Sequence, residues 1–322
     1  MVRATPVGTA LNRSAEDTRR GVADPRAPRR RRIVIHVGPP KTATTTFQAL
    51  LRRNAERIAP HAAVSAKDRL TLNLRGAAKP RRSVPEWLRR FLVRQSARQF
   101  AARVGRMSFQ TLIVSDENLL GFLSATLFRI RYDEGPRQVV EALDRALADY
   151  DLQFVGYLRE PRSWLRSCHN QATKRGLVAE DADRWMAAHE DLDGPRRLLG
   201  EMARHLGDRF RLVDMETEIA ADGQIGRAVL SLAGVPDAVV DSLERPGPEN
   251  QSLGPSALRL VELVNGAGLP EKHRRTVTRL IRDNPQLFAP QPRPDAPAPG
   301  DAEGRSKGVE TAAPSTHPQP EA

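Results

Sequence analysis

From residue 33 to about residue 289, short β-branched runs alternate with longer stretches in which apolar residues recur every three or four positions. Four runs predict strands: Ile33 to Val37, Thr111 to Ser115, Gln153 to Leu158 and Phe210 to Asp214. Between them, Thr44 to Ile58 places Phe47, Leu50, Leu51 and Ile58 on one helical face, and Pro136 to Tyr150 does the same for Val139, Val140, Leu143 and Leu147. This is the pattern of βαβ units. It predicts a three-layer α/β domain over 33–289, P-loop-like in its order of elements, with a central, mainly parallel sheet flanked by helices. Right-handed crossovers then put the ligand site at the carboxyl ends of the strands. Residues 79–106 predict a basic amphipathic helix with Trp87, Leu88, Phe91, Leu92 and Phe100 on its buried side.

The flanks break the pattern. Residues 1–32 are polar and end in four consecutive arginines, and residues 290–322 carry eight of the 25 prolines, so both are expected to be disordered. The net charge of +12 is concentrated: 1–32 contribute +6, 79–106 contribute +8, 290–322 contribute −2, and the rest sums to zero. Six of the 51 basic residues are Lys, a skew towards Arg that looks like compositional bias, so the basic helix is read as a solvated face before it is read as a guide for an anionic partner. No apolar run approaches the roughly 20 residues of a membrane span. The N-terminus lacks the apolar core of a signal peptide. A single cysteine, Cys168, excludes an internal disulfide framework and points to a reducing, cytoplasmic setting.

Candidate chemistry begins where the first strand runs into Gly38-Pro39-Pro40-Lys41-Thr42-Ala43-Thr44-Thr45-Thr46 and then a helix. A strand, a tight loop and a helix N-terminus offer unpaired N–H groups and a positive dipole end to a phosphate. Lys41 adds a point charge, and Thr42, Thr44, Thr45 and Thr46 add hydroxyl donors. A Walker A loop would need its lysine at Thr44 and its second glycine at Ala43, whereas the lysine stands three positions earlier. The second element follows the strand Gln153 to Leu158: Arg159-Glu160-Pro161 and, eight residues after the arginine, Ser167 in a helix that Pro161 starts. Read alone, Arg159 is equally a surface ion pair.

Pro40 to Thr45 resembles the 5′-phosphosulfate loop of sulfotransferases that use 3′-phosphoadenosine 5′-phosphosulfate (PAPS), with Ala43 in place of the family's glycine. Alanine is strained there if the loop needs a positive φ. The Arg159 and Ser167 spacing is similar to the pair that holds the 3′-phosphate in that family. Ser115-Asp116-Glu117, Glu216 and Asn250-Gln251-Ser252 are similar to patterns in its bacterial and carbohydrate branches, and the Arg-Lys-Gly segment of the cytosolic small-molecule branch has no counterpart.

The resemblance implies transfer of a sulfuryl group from PAPS to an acceptor hydroxyl or amine, without a metal; the basic helix would suit an anionic acceptor such as an acidic glycan. It assigns Pro40, Lys41, Thr42, Ala43, Thr44, Thr45 and Thr46 to the 5′ end of the donor and Arg159 and Ser167 to the 3′-phosphate, with Lys41 also catalytic. For the general base, Glu117 comes first and His169 second; the first is equally a helix N-terminal carboxylate, and a lone helical histidine is more often structural. Two rivals stay open. Leu112-Ile113-Val114-Ser115-Asp116 looks like a Walker B strand, which suits a kinase using ATP and magnesium; the basic segments suit a nucleic-acid binder, although aromatics are few and no recognition module is present. Acceptor identity and oligomeric state are not readable from the sequence.

Overall fold

The computed structural model describes residues 30–78, 84–120, 134–189, 194–247 and 253–288. Residues 1–29, the Pro-rich tail, the start of the predicted basic helix at 79–83 and Asn250-Gln251-Ser252 lie outside them.

Five strands form one parallel sheet: β1 (Arg32–His36), β2 (Ala63–Ala66), β3 (Thr111–Ser115), β4 (Asp151–Leu158) and β5 (Phe210–Asp214), in the order β2-β3-β1-β4-β5. Helices cover both faces: α1 (Thr44–Arg53), α2 (Ala55–Ile58), α3 (Leu72–Ala78), α4 (Glu86–Gly105), α5 (Glu134–Ala146), α6 (Pro161–Lys174), α7 (Ala182–Ala187), α8 (Gly194–Leu206), α9 (Met215–Asp222), α10 (Arg227–Leu232), α11 (Asp237–Asp241), α12 (Pro255–Gly266) and α13 (Glu271–Asp283). The expected three-layer α/β architecture is what the chain adopts. Because both faces of a parallel sheet are buried, its strands read as continuous apolar runs. Ile33, Ile35, Leu112, Val114 and Phe154 pack on one side with Val93, Phe100, Leu143 and Leu199. Val34, Ile113, Val155 and Tyr157 pack on the other with Phe47, Leu50, Leu51 and Val229.

The topology fixes where a ligand can bind. From β1 the chain goes out to β2, returns to β3 beside β1, and then crosses to β4 on the other side of β1. Winding reverses at β1, and the crevice at the carboxyl end of such a strand is the binding position of open α/β sheets. His36 ends β1 in register with Ser115 of β3 and Val155 of β4.

Three sequence expectations need correction. β2, Ala-Val-Ser-Ala at the sheet edge, has one β-branched residue and escaped the strand pattern. The helix expected over Thr44 to Ile58 breaks at Asn54, whose side-chain amide donates to the Leu50 carbonyl at 2.9 Å. In α4 the buried residues are Val93, Ala97, Phe100 and Val104, whereas Trp87 and Phe91 are exposed and Leu92 borders solvent. Spacings of four, three and four put the buried set on one stripe; at 100° per residue, Trp87, Leu88 and Phe91 fall on the opposite one. With two apolar stripes, apolar periodicity alone selects neither.

Candidate functional site

The loop after β1 is strained and held from outside. Lys41 has φ +74° and Ala43, the N-cap of α1, has φ +53°. Residues with a Cβ in this region cost roughly 1–2 kcal/mol each and persist where surrounding contacts impose them. Those contacts come from the junction of β4 with α6, from α6 and from within the loop. Arg159 Nη1 donates to the Lys41 carbonyl at 3.0 Å, Trp164 Nε1 donates to the buried Pro40 carbonyl at 2.9 Å, and Thr42 Oγ1 donates to the Pro39 carbonyl at 2.8 Å. With three consecutive carbonyls satisfied in this way, the backbone N–H groups from Lys41 to Thr46 find no acceptor among the described residues. A run of N–H groups at a helix N-terminus is a receptor for an anion. Ala43→Gly should relieve the strain and raise stability by about 1 kcal/mol. Denaturant unfolding reads this directly, and an unchanged or lowered midpoint would show that the left-handed geometry costs nothing here.

The side chains separate into three groups. Thr45 is exposed and Thr46 half-buried, so both side chains are open to solvent. Thr44 is buried with its Oγ1 unpartnered, as is Nε2 of His36. A Cβ on Gly38 would meet Thr42 Oγ1 at 3.0 Å, His36 Nε2 at 3.2 Å and Thr44 Oγ1 at 3.4 Å, so a side chain here would crowd these three polar atoms. Thr42 itself is fully buried and commits its hydroxyl to the loop; only its N–H is left to offer a ligand.

Positive charge gathers here with few acids to match it. Burial, then the nearby Lys174, hold the Lys41 ammonium below the ordinary lysine range; Arg159 and Arg175 add to this and Cys168 opposes it. Burial and then Arg282 do the same to Lys174. No carboxylate pairs with Lys41 or Lys174 among the described residues. Arg159 stands 3.8 Å from Glu216 through its Nε, not beside Glu160, which caps α6 by accepting from the Arg162 and Ser163 N–H groups at 2.9 and 2.6 Å. Ser167 lies half-buried on α6 and has no side-chain hydrogen bond among the described residues. Its neighbour Cys168 is buried, which pushes the thiol well up and leaves it inert.

The acids after β3 behave differently from each other. Asp116 is fully buried, accepts from Thr71 Oγ1 at 2.5 Å and pairs with Arg75 at 3.1 Å; burial still pushes its carboxyl up. Glu117 pairs with the Lys67 ammonium and accepts from Gln48 Nε2 at 2.9 Å. Burial raises its carboxyl, but the Lys67 and Gln48 contacts outweigh that and hold it below the ordinary carboxylate range. Lys67→Met should therefore let burial dominate and move the Glu117 titration up in pH, read as the acidic limb of an activity profile or by carbonyl infrared difference spectra. A limb that stayed in place would mean that Lys67 does not set it.

His169 does not join this site. Its ring is fully buried, with Nε2 2.8 Å from the Glu180 carbonyl and 3.8 Å from Glu262, and it packs on Trp185. With no exposed surface, the ring packs at the junction between α6, α7 and α12. The sequence reading missed Trp164, Gln48, Lys67 and Lys174. Trp164 was visible as an aromatic one turn into a Pro-started helix, but the loop carbonyl it meets is 124 residues away. No family model and no curated protein matches the chain.

Proposed function

We propose that the chain is a PAPS-dependent sulfotransferase. The observation that carries the reading is the 3.0 Å hydrogen bond from Arg159 to the Lys41 carbonyl, which joins two motifs 118 residues apart into one crevice at the carboxyl ends of β1 and β4. The residues fit a doubly anionic nucleotide. The free N–H run and the unpartnered Thr44 hydroxyl suit a 5′-phosphate group, and Arg159 retains further donors for a second phosphate.

Bound PAPS supplies the sulfuryl group and a phosphate as its leaving group. In this reading the N–H groups from Lys41 to Thr46, with the Thr44, Thr45 and Thr46 hydroxyls, hold the 5′-phosphate; Thr42 contributes through its backbone. Arg159 and Ser167 hold the 3′-phosphate. Lys41 places an ammonium against the oxygen on which negative charge grows, a contribution that rises in the transition state. Glu117, ionised throughout the neutral range, takes the proton of the acceptor hydroxyl or amine.

Asp116 weighs against the kinase alternative, since its Oδ2 meets Thr71 and Arg75 and its Oδ1 accepts from the Asn118 N–H, so both oxygens are engaged before any magnesium arrives. The test is incubation with radiolabelled PAPS against glycans, lipids, phenols and amines, with thermal shift by adenosine 3′,5′-bisphosphate and by ATP with magnesium in parallel. Label transfer with stabilisation by the bisphosphate is the expected result. No transfer, with stabilisation by ATP and magnesium alone, would make the protein a phosphotransferase.

A further inference from the structure

The second apolar stripe of α4 faces solvent and is interleaved with charge. Trp87 is 69% exposed and Phe91 57%, and the same stripe continues one and two turns later into Arg94 and Arg98, both exposed. From Trp87 to Arg98 the stripe is about 16 Å long at 1.5 Å per residue. Leu92 and, on α3, Leu72 extend the apolar surface sideways, where a cavity of about 300 Å³ opens between the two helices. The acid of this helix, Glu86, is occupied by Arg89, Arg90 and Gln138. Arg94 and Arg98 have no carboxylate partner among the described residues.

We propose that this face docks the protein on an anionic phospholipid surface. Two aromatics flanked by exposed leucines suit the boundary between headgroups and acyl chains, and arginines on the same face suit lipid phosphates. A nucleic acid or acidic glycan would use the arginines and leave Leu72 and Leu92 without a role. The binding is peripheral, since no helix among the described residues is long and apolar enough to cross a membrane. It is independent of the reaction assigned to the crevice.

The protein carries its own probe. Of its three tryptophans, Trp164 and Trp185 are 3% and 2% exposed, so a change in emission on adding vesicles reports Trp87. Vesicles of phosphatidylcholine with phosphatidylglycerol should shift the full-length protein's emission to the blue, and phosphatidylcholine alone should not. Arg94→Gln with Arg98→Gln should weaken partitioning about 25-fold, each arginine near a charged surface being worth about fivefold. Phe91→Ser should weaken it by about tenfold or more through lost apolar burial. All three positions are exposed, so circular dichroism and melting should match the parent. The proposal is overturned by any of these results: no shift with anionic vesicles, the same shift with neutral ones, parental partitioning by the arginine variant, or an equal shift with heparin in place of lipid.

Discussion

Replacing Lys41 with alanine is expected to lower kcat about a hundred- to a thousand-fold, the loss seen when one preorganised donor is removed from a developing charge. The backbone does not confound this result. Lys41 sits at φ +74°, and alanine meets the same Cβ penalty there, so the loop geometry and its bonds to Arg159 and Trp164 remain. What is removed is an ammonium that burial and Lys174 already destabilise. Such a charge gains most when negative charge appears beside it, which places its effect in turnover more than in donor affinity. Arg159→Ala should show the opposite division, a higher KM for the donor with a smaller change in kcat, since Arg159 holds both the loop and, in the proposed reading, the distal phosphate. Steady-state kinetics on both variants decides it. A Lys41→Ala enzyme that turned over at the parental rate would remove the catalytic role assigned here.

How much of this was legible depends on whether the signal was local. β1, β3, β4 and β5 were readable because strands buried on both faces need unbroken β-branched runs, and Ile33-Val34-Ile35 and Leu112-Ile113-Val114 supply them. β2 was not, since an edge strand of Ala63-Val64-Ser65-Ala66 carries almost none of that signal. The loop was readable from its register of glycine, lysine and threonines, and Ala43, expected to be strained if φ is positive there, has φ +53°. The hydroxyl of Thr42, by contrast, turned inward to Pro39, which no spacing rule distinguishes from its three neighbours. Long-range partners were invisible for a general reason: Trp164 with Pro40, Thr71 with Asp116 and Gln48 with Glu117 are chosen by how layers stack. Glu117 already ranked ahead of His169 as a candidate base in sequence, and the fold keeps that order: Glu117 retains some exposure, whereas His169 is fully buried.

Acidification from neutral pH should destabilise the protein, and His36 is the main reason. The ring ends β1 with no solvent exposure, Nδ1 2.9 Å from Ser115 Oγ and its edge against Phe47 and Tyr157. Burial lowers its pKa to about 4, opposed in part by Glu117. The sign follows from linkage. Unfolded, the imidazole binds a proton near its ordinary value of 6.5; folded, it does not until about 4, so the unfolded state gains protons first. Stability is complete above 6.5 and falls as pH drops through the window down to about 4, by roughly 3 kcal/mol in total at 1.36 kcal/mol per pH unit. Glu86, whose carboxyl is held at about 2, loses its contribution only below the ordinary carboxylate range, so it does not share this window. Denaturant unfolding of the parent and of His36→Asn between pH 7.5 and 4.5, the asparagine keeping a polar atom near Ser115, should give a slope in the parent that the variant largely lacks. Parallel slopes in the two proteins would mean that the buried ring is not what acid attacks, and that the base of the loop after β1 is wetter than its packing implies.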